Sequence, residues 1–291
     1  MCIRDRVTCA QAIDFDKDGD MDLVLAGEWE GIRLFLNDGG QLSEKKDQTL
    51  NDNRGWWSSI EVKDIDGDGD QDIVAGNLGL NYKYKASAKE PFHIYLNDFD
   101  KNGTKDIVLG YYNEGVCYPL RGRECSSEQM PFLKEKFPTY HAFGSADLKE
   151  VYGDELNSAY HKEVNNFASG VFKNEGGSFV FQKFPNEAQL SSMNGLIVED
   201  FDGDGKMDVL AGGNLFASEV ETPRNDAGMG VYLKGTANGF EYIPIMETGF
   251  FIPGDVKDLQ QIQTEGESTL ILVTNNDSKM QLFEQNKSLI R

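Results

Sequence analysis

Four acidic loops of one design recur along this chain, and they constrain its fold more than any other feature. Residues 12–27 read AIDFDKDGDMDLVLAG, 62–76 VKDIDGDGDQDIVAG, 96–110 LNDFDKNGTKDIVLG and 198–212 VEDFDGDGKMDVLAG. Acidic or amide residues fill positions 1, 3, 5 and 9, and glycine fills position 6. Alternate carboxylates on a tightly turning loop can converge on one point, which suits calcium and its six to eight oxygen ligands. Glycine permits the turn. The candidate ligands are Asp14, Asp16, Asp18, Asp20 and Asp22; Asp64, Asp66, Asp68, Asp70 and Asp72; Asp98, Asp100, Asn102, Thr104 and Asp106; and Asp200, Asp202, Asp204, Lys206 and Asp208. Position 7 (Asp20, Asp70, Thr104, Lys206) is expected to offer its main-chain carbonyl, so its side chain can vary. Position 2 is apolar each time (Phe15, Ile65, Phe99, Phe201), as an anchor onto a sheet would be. Up to four calcium ions are expected, with the third loop the weakest because Asn102 replaces an aspartate.

The flanks decide between rival readings of the motif. An EF-hand needs a glutamate at position 12 and helices on both sides. Here position 12 is Leu25, Ala75, Leu109 and Ala211, and the following runs (Leu23-Val24-Leu25, Ile73-Val74, Ile107-Val108-Leu109, Val209-Leu210) read as strands. The glycine-rich nonapeptides of a calcium-binding β-roll are missing from the sequence. Loop plus strand resembles the FG-GAP/VCBS repeat, as in the integrin α-subunit β-propeller. Two hairpin segments add to the likeness: Gly31 to Gly40, ending Asn37-Asp38-Gly39-Gly40, and Gly170 to Gly177, ending Asn174-Glu175-Gly176-Gly177. The middle of the chain also resembles the repeat region of bacterial ASPIC/UnbV-type secreted proteins. These resemblances imply an all-β fold, a β-propeller of four-stranded blades in which a calcium loop joins two strands.

The loops begin at Asp14, Asp64, Asp98 and Asp200, and propeller repeats run about 40–50 residues. The long interval before Asp200 therefore holds either a blade without calcium or an insertion, and residues 111–165 favour a small helical insertion. Ser126-Ser127-Glu128 reads as the cap of one short helix. Ser145 followed by residues 146–152 reads as another, with Gly153 as its stop. Near the end, residues 254–259 stand where a loop is due but lack its ladder, and Leu270 to Thr274 supplies the strand. That is the expected pattern of a degenerate, metal-free repeat, the last of about five over residues 7–291. Residues 1–6 resemble the translation of a transposon end used in sequencing libraries. They are expected to be a non-native scar on an incomplete fragment.

Chemistry beyond the loops is sparse. The three histidines (His93, His141, His161) show no H-E-x-x-H spacing, and no nucleophile elbow or phosphate loop occurs. His93 reads as a sheet residue and His141 as a packing residue among aromatics. Cys117 and Cys125 flank a short segment and read either as a local disulfide or as two reduced thiols. Trp56-Trp57, with Arg54 nearby, reads as a core pair or a carbohydrate platform. The formal net charge of −21 repels nucleic acid and anionic lipid, and no apolar run is long enough to span a membrane.

The expected function is therefore an extracellular, cell-surface or periplasmic repeat module. It would be calcium-stabilised and non-catalytic, and would bind a protein or carbohydrate ligand. One alternative is a non-catalytic appendage of a larger polysaccharide-active enzyme. Another is an enzyme with its site in the insertion, around Cys117, Arg121 and His141.

Overall fold

A computed structural model of the protein describes residues 6–218, 222–263 and 269–285. The chain forms two compact units, one of residues 1–83 and 167–291, the other of residues 84–166. It is mostly β: the first unit holds small up-and-down antiparallel sheets like the blades of a propeller, and the second an antiparallel sheet whose last strand returns beside its first.

The first sheet runs β1 (Val7–Ile13), β2 (Asp22–Glu30), β3 (Arg33–Asp38) and β4 (Gln41–Lys45) in that order. A one-turn helix α1 (Gln48–Asp52) follows, and a short β5 (Gly55–Trp56) returns to pair with β2. The strands β6 (Ser59–Lys63) and β7 (Asp72–Gly76) open the second sheet. The chain then enters the second unit. There β8 (Phe92–Asn97), β9 (Asp106–Asn113) and β10 (Val116–Pro119) precede five short helices, α2 (Arg123–Gln129), α3 (Phe132–Lys136), α4 (Tyr140–Gly144), α5 (Leu148–Tyr152) and α6 (Glu155–Ser158). The strand β11 (Tyr160–Val164) closes the unit, with sheet order β10-β9-β8-β11. Back in the first unit, β12 (Gly170–Asn174) and β13 (Phe179–Lys183) complete the second sheet as β13-β12-β7-β6. The third sheet is β14 (Gly195–Glu199), β15 (Asp208–Gly212), β16 (Val231–Thr236) and β17 (Gly239–Ile243). After α7 (Ile245–Thr248), the fourth is β18 (Val256–Gln263), β19 (Thr269–Asn275) and β20 (Gln281–Glu284).

Strand alternation explains how the first unit packs. Successive side chains of a strand point to opposite faces. Ile73 and Ala75 of β7 join a core with Val24, Leu34 and Trp57 of the first sheet and its surroundings. Val74 between them joins Leu196, Val198, Val209 and Ala211 of the third sheet. Ile197 and Leu210, the intervening residues, face Leu259, Ile271 and Val273 of the fourth. Inner strands are thus covered on both faces, which is why β7 and β15 are continuous apolar runs rather than alternating ones. The second unit has its own core, where Phe99 and Val108 meet Met130, Leu133, Phe143, Leu148 and Val151 from the helices.

Several expectations need correction. The insertion expected at about 111–165 is part of a larger unit that starts at residue 84 and takes in the third acidic loop. The hairpin carrying that loop pairs only with β10 and β11, while β7 pairs with β12. The interval before Asp200 therefore also holds the second half of the second blade. Gly122, not Ser126, is the N-cap of α2, and the Ser126 and Ser127 hydroxyls donate back to the carbonyls of Arg121 and Glu124. The helix before Gly153 begins later than Ser145. Asp147 caps it in a reciprocal box with Glu150, and Gly153 ends it at φ +66°. Residues 256–259 lie inside β18, so the decayed loop is not there. The link between β18 and β19 includes residues 264–268, which lie outside the described residues, as do residues 1–5 of the expected scar. Cys117 and Cys125 are not joined by a disulfide. Trp57 is fully buried, and Trp56 packs edge-on against Trp29 and Phe167, so this pair is core. His141 is exposed on α4 rather than packed.

Candidate metal centres

Each acidic loop links two adjacent strands of a sheet: β1 to β2, β6 to β7, β8 to β9 and β14 to β15. Each is organised by the same hydrogen bonds. The position-1 carboxylate accepts from the position-6 glycine amide, at 3.2 Å for Asp14, 3.0 Å for Asp64, 2.9 Å for Asp98 and 2.9 Å for Asp200. The position-3 carboxylate accepts from the position-5 amide, and position 5 accepts from the position-7 amide, the latter at 2.8, 2.8, 2.7 and 3.0 Å. These turns draw the side chains inward. The glycines at position 6 sit at φ +97°, +99°, +90° and +86°, where a side chain is strained. Position 4 is left-handed as well, filled by Lys17 and Lys101 in two loops and by Gly67 and Gly203 in the others.

Carboxylate oxygens converge in every loop. Oxygens of Asp14, Asp16 and Asp18 lie within 4.8 Å of one another in the first. In the others the sets are Asp64, Asp66 and Asp72; Asp98, Asp100 and Asp106; and Asp200, Asp202 and Asp208. Position 7 is not in these sets. The Asp20 carboxylate instead accepts from the Gly39 amide at 2.7 Å, and the Lys206 ammonium pairs with Asp204 at 3.3 Å. The Asn102 amide donates to Asp100 at 2.9 Å, using an oxygen that aspartate at this position would leave for a cation.

Position 9 has a second role that the spacing did not reveal. Asp22, Asp72, Asp106 and Asp208 are all but fully buried. One oxygen of each accepts from the position-2 amide of its own loop, at 2.7, 2.9, 3.0 and 3.1 Å. The other reaches across to the next strand: Asp22 to the Asn37 amide at 2.8 Å, Asp72 to the Asn174 amide at 2.7 Å, Asp208 to the Gly235 amide at 2.7 Å. The next strand, β10, pairs with β9 only from Gly110 onward, so Asp106 accepts instead from the Gln129 side chain of α2 at 3.2 Å. Asn37 and Asn174 complete the latch. Their side chains donate to the position-8 carbonyls of Met21 and Gln71 and accept from Gly40 and Gly177 in the turn. The shared Asn-x-Gly-Gly spacing was the signal for this role.

The electrostatics are those of crowded carboxylates. Burial pushes Asp72 up to about 6, against the opposing amide of Asn174. Burial also raises Asp208, and burial followed by repulsion from Asp18 raises Asp16. Lysines answer part of the charge: Lys234 pairs with Asp202 and, at 3.2 Å, with Asp204, and Lys173 stands 3.6 Å from Asp66. In the first loop the Asp14 Oδ1 is buried with no hydrogen-bond partner. A buried acceptor left unmatched costs on the order of 1–3 kcal/mol. A hard, oxygen-seeking cation among Asp14, Asp16 and Asp18 would match it, so the residues present fit calcium.

Residues 14–75 match a family model described as FG-GAP-like repeat. This covers the first two loops and the sheet between them, and it does not bear on the ASPIC/UnbV resemblance. No curated protein matches the chain. Among solved structures, a mutant levansucrase of B. megaterium is similar at 13% identity with a TM-score of 0.29, covering 95% of this chain and 81% of that one. No described helix is long and apolar enough to cross a membrane.

Proposed function

We propose that this chain, which carries an FG-GAP-like repeat over residues 14–75, is a calcium-stabilised, non-catalytic repeat module that binds a protein or glycan outside the cytoplasm. The observation that carries the reading is the unmatched, buried Asp14 Oδ1 inside one of four like-built carboxylate clusters. Calcium bound there ties the two strands of a hairpin, and the position-9 aspartate passes that tie to the next strand. The ions would also offset part of the −21 formal charge. Weak loops of this kind fill at the millimolar calcium of extracellular fluids and stay largely empty at cytosolic levels. Absence of a membrane-crossing helix among the described residues is compatible with a secreted or anchored location.

The test is thermal unfolding of the full chain in chelator, in calcium and in equimolar magnesium. Calcium is expected to raise the midpoint by several degrees over chelator, as linkage requires of a ligand that binds only the folded state. Magnesium, smaller and strict about octahedral geometry, is expected to do much less. Superimposable curves in chelator and calcium would defeat the reading.

A further inference from the structure

The second unit brings together a donor set of a different kind. Strands β8 and β11 pair antiparallel, with His93 opposite Glu163 and Tyr95 opposite His161. Residues two apart on a strand share a face, so His93, His161 and Glu163 share one. His93 Nδ1 lies 2.9 Å from His161 Nε2 and 3.7 Å from Glu163 Oε2, and one donor atom from each of the three lies within 4.8 Å of the others. The three come from rigid strands rather than a loop. The Tyr95 ring stacks on the His161 imidazole with centroids 4.4 Å apart and planes at 15°, which fixes that ring's orientation. In sequence the two histidines are 68 residues apart.

We propose that His93, His161 and Glu163 form a binding site for a borderline divalent transition ion of the zinc class, separate from the calcium loops. Two imidazole nitrogens and one carboxylate are the donors such ions take, whereas calcium takes oxygen alone. A four-coordinate ion with bonds of about 2.0–2.1 Å holds two nitrogens roughly 3.3 Å apart. The imidazoles therefore separate by only a few tenths of an ångström to admit it. The ion needs a lone pair from each ring, so the proton now shared between these two nitrogens moves to the other nitrogen of the ring that donates it. His93 is buried and His161 exposed. The site is thus anchored on one side and open on the other, which leaves a coordination position for water or an incoming ligand.

The experiment titrates Co2+ into the full-length, metal-stripped chain in saturating calcium, followed by its visible spectrum, with Zn2+ competition against a chromophoric indicator. One equivalent is expected to bind at micromolar concentration with a d–d band of imidazole-ligated cobalt. Glu163→Gln and His161→Ala should each weaken it at least about tenfold, and the loop variant Asp200→Asn should leave it unchanged. His161 is exposed, so its variant is expected to keep the fold, with far-ultraviolet dichroism as the check. No stoichiometric binding up to high micromolar Co2+, or unchanged affinity in both His161→Ala and Glu163→Gln, overturns the proposal.

Discussion

The first, second and fourth acidic loops sit in stacked blades, and the third sits in the helical unit of residues 84–166. Within the loop the four are alike, down to the glycine amide on position 1 and the chain of two-residue turns. Beyond the loop they differ in what the buried position-9 carboxylate grips. In the blades it is a backbone amide of the next strand, and in the second unit it is the Gln129 side chain. The loop and its hairpin are therefore a self-sufficient piece of local structure. The latch to a third strand is what a blade adds.

This contrast makes its largest prediction at position 9. Asp72→Ala removes an acceptor from two backbone amides, those of Ile65 and Asn174, at a site with no exposure. Leaving both amides unmatched is expected to cost about 3–5 kcal/mol in urea unfolding. Asp106→Ala strands one backbone amide, Phe99, and one side chain that can turn to water. Its cost is expected to be about 1–3 kcal/mol. An Asp106→Ala cost equal to that of Asp72→Ala would break the contrast.

Calcium should sharpen it. The third loop spends an oxygen of Asp100 on the Asn102 amide, so Asn102→Asp is expected to raise that loop's calcium affinity severalfold, read by calorimetry, with the other loops as internal reference. Conversely Asp18→Asn, the matching change in the first loop, should lower affinity there by a similar factor. If neither changes the isotherm, position 5 is not a ligand.

The two units should also respond to acid in opposite senses when metal is removed. Asp72 has its folded pKa raised to about 6 by burial. The folded state then binds the proton more readily than the unfolded one, so this group adds stability as pH falls from 7 through 6 towards 4. His93 has its folded pKa lowered to about 4, by burial first and His161 second. The unfolded state takes that proton first, so this group's contribution is lost as pH falls from about 6.5 towards 4. Each effect is on the order of 2 kcal/mol. Hydrogen exchange in chelator at pH 7 and pH 5, corrected for intrinsic rates, should show β6–β7 slowing relative to β8–β11. Parallel changes in both units would contradict the assignment of these two groups.

Much of this was legible in the residues. Aspartates and glycine at fixed offsets followed by an apolar run specify loop then strand wherever they occur, because those interactions are local. That same locality hid the second unit. The third loop looks like the others from within, and only the pairing of β7 with β12 reveals that its hairpin belongs elsewhere. The helix starts were not legible because Ser126, buried, lies inside α2, which starts from Gly122, and because Asp147 rather than Ser145 caps α5 through its box with Glu150. The His93–His161 pair could not be read at all, since β8 and β11 meet only after the five helices have folded back.

The smallest expected effect concerns position 4, where loops of the two units can be compared that use different residues for one backbone shape, although Lys17 of the first unit matches Lys101. Lys101 of the third loop holds φ +61° and pairs with Glu155 at 3.1 Å, while Gly67 of the second holds φ +77°. A side chain in the left-handed region costs roughly 1 kcal/mol, so Gly67→Ala should destabilise by about that amount. Lys101→Gly relieves the same strain but frees the unfolded chain and removes an exposed ion pair, each worth a few tenths to about 1 kcal/mol. These terms oppose, and the net change should fall within about 0.5 kcal/mol. Paired urea titrations of the two variants decide it. A Lys101→Gly loss as large as that of Gly67→Ala would mean that the Glu155 contact, and not the loop alone, sets the third loop's shape, which would narrow the claim that the motif carries its own geometry into any hairpin.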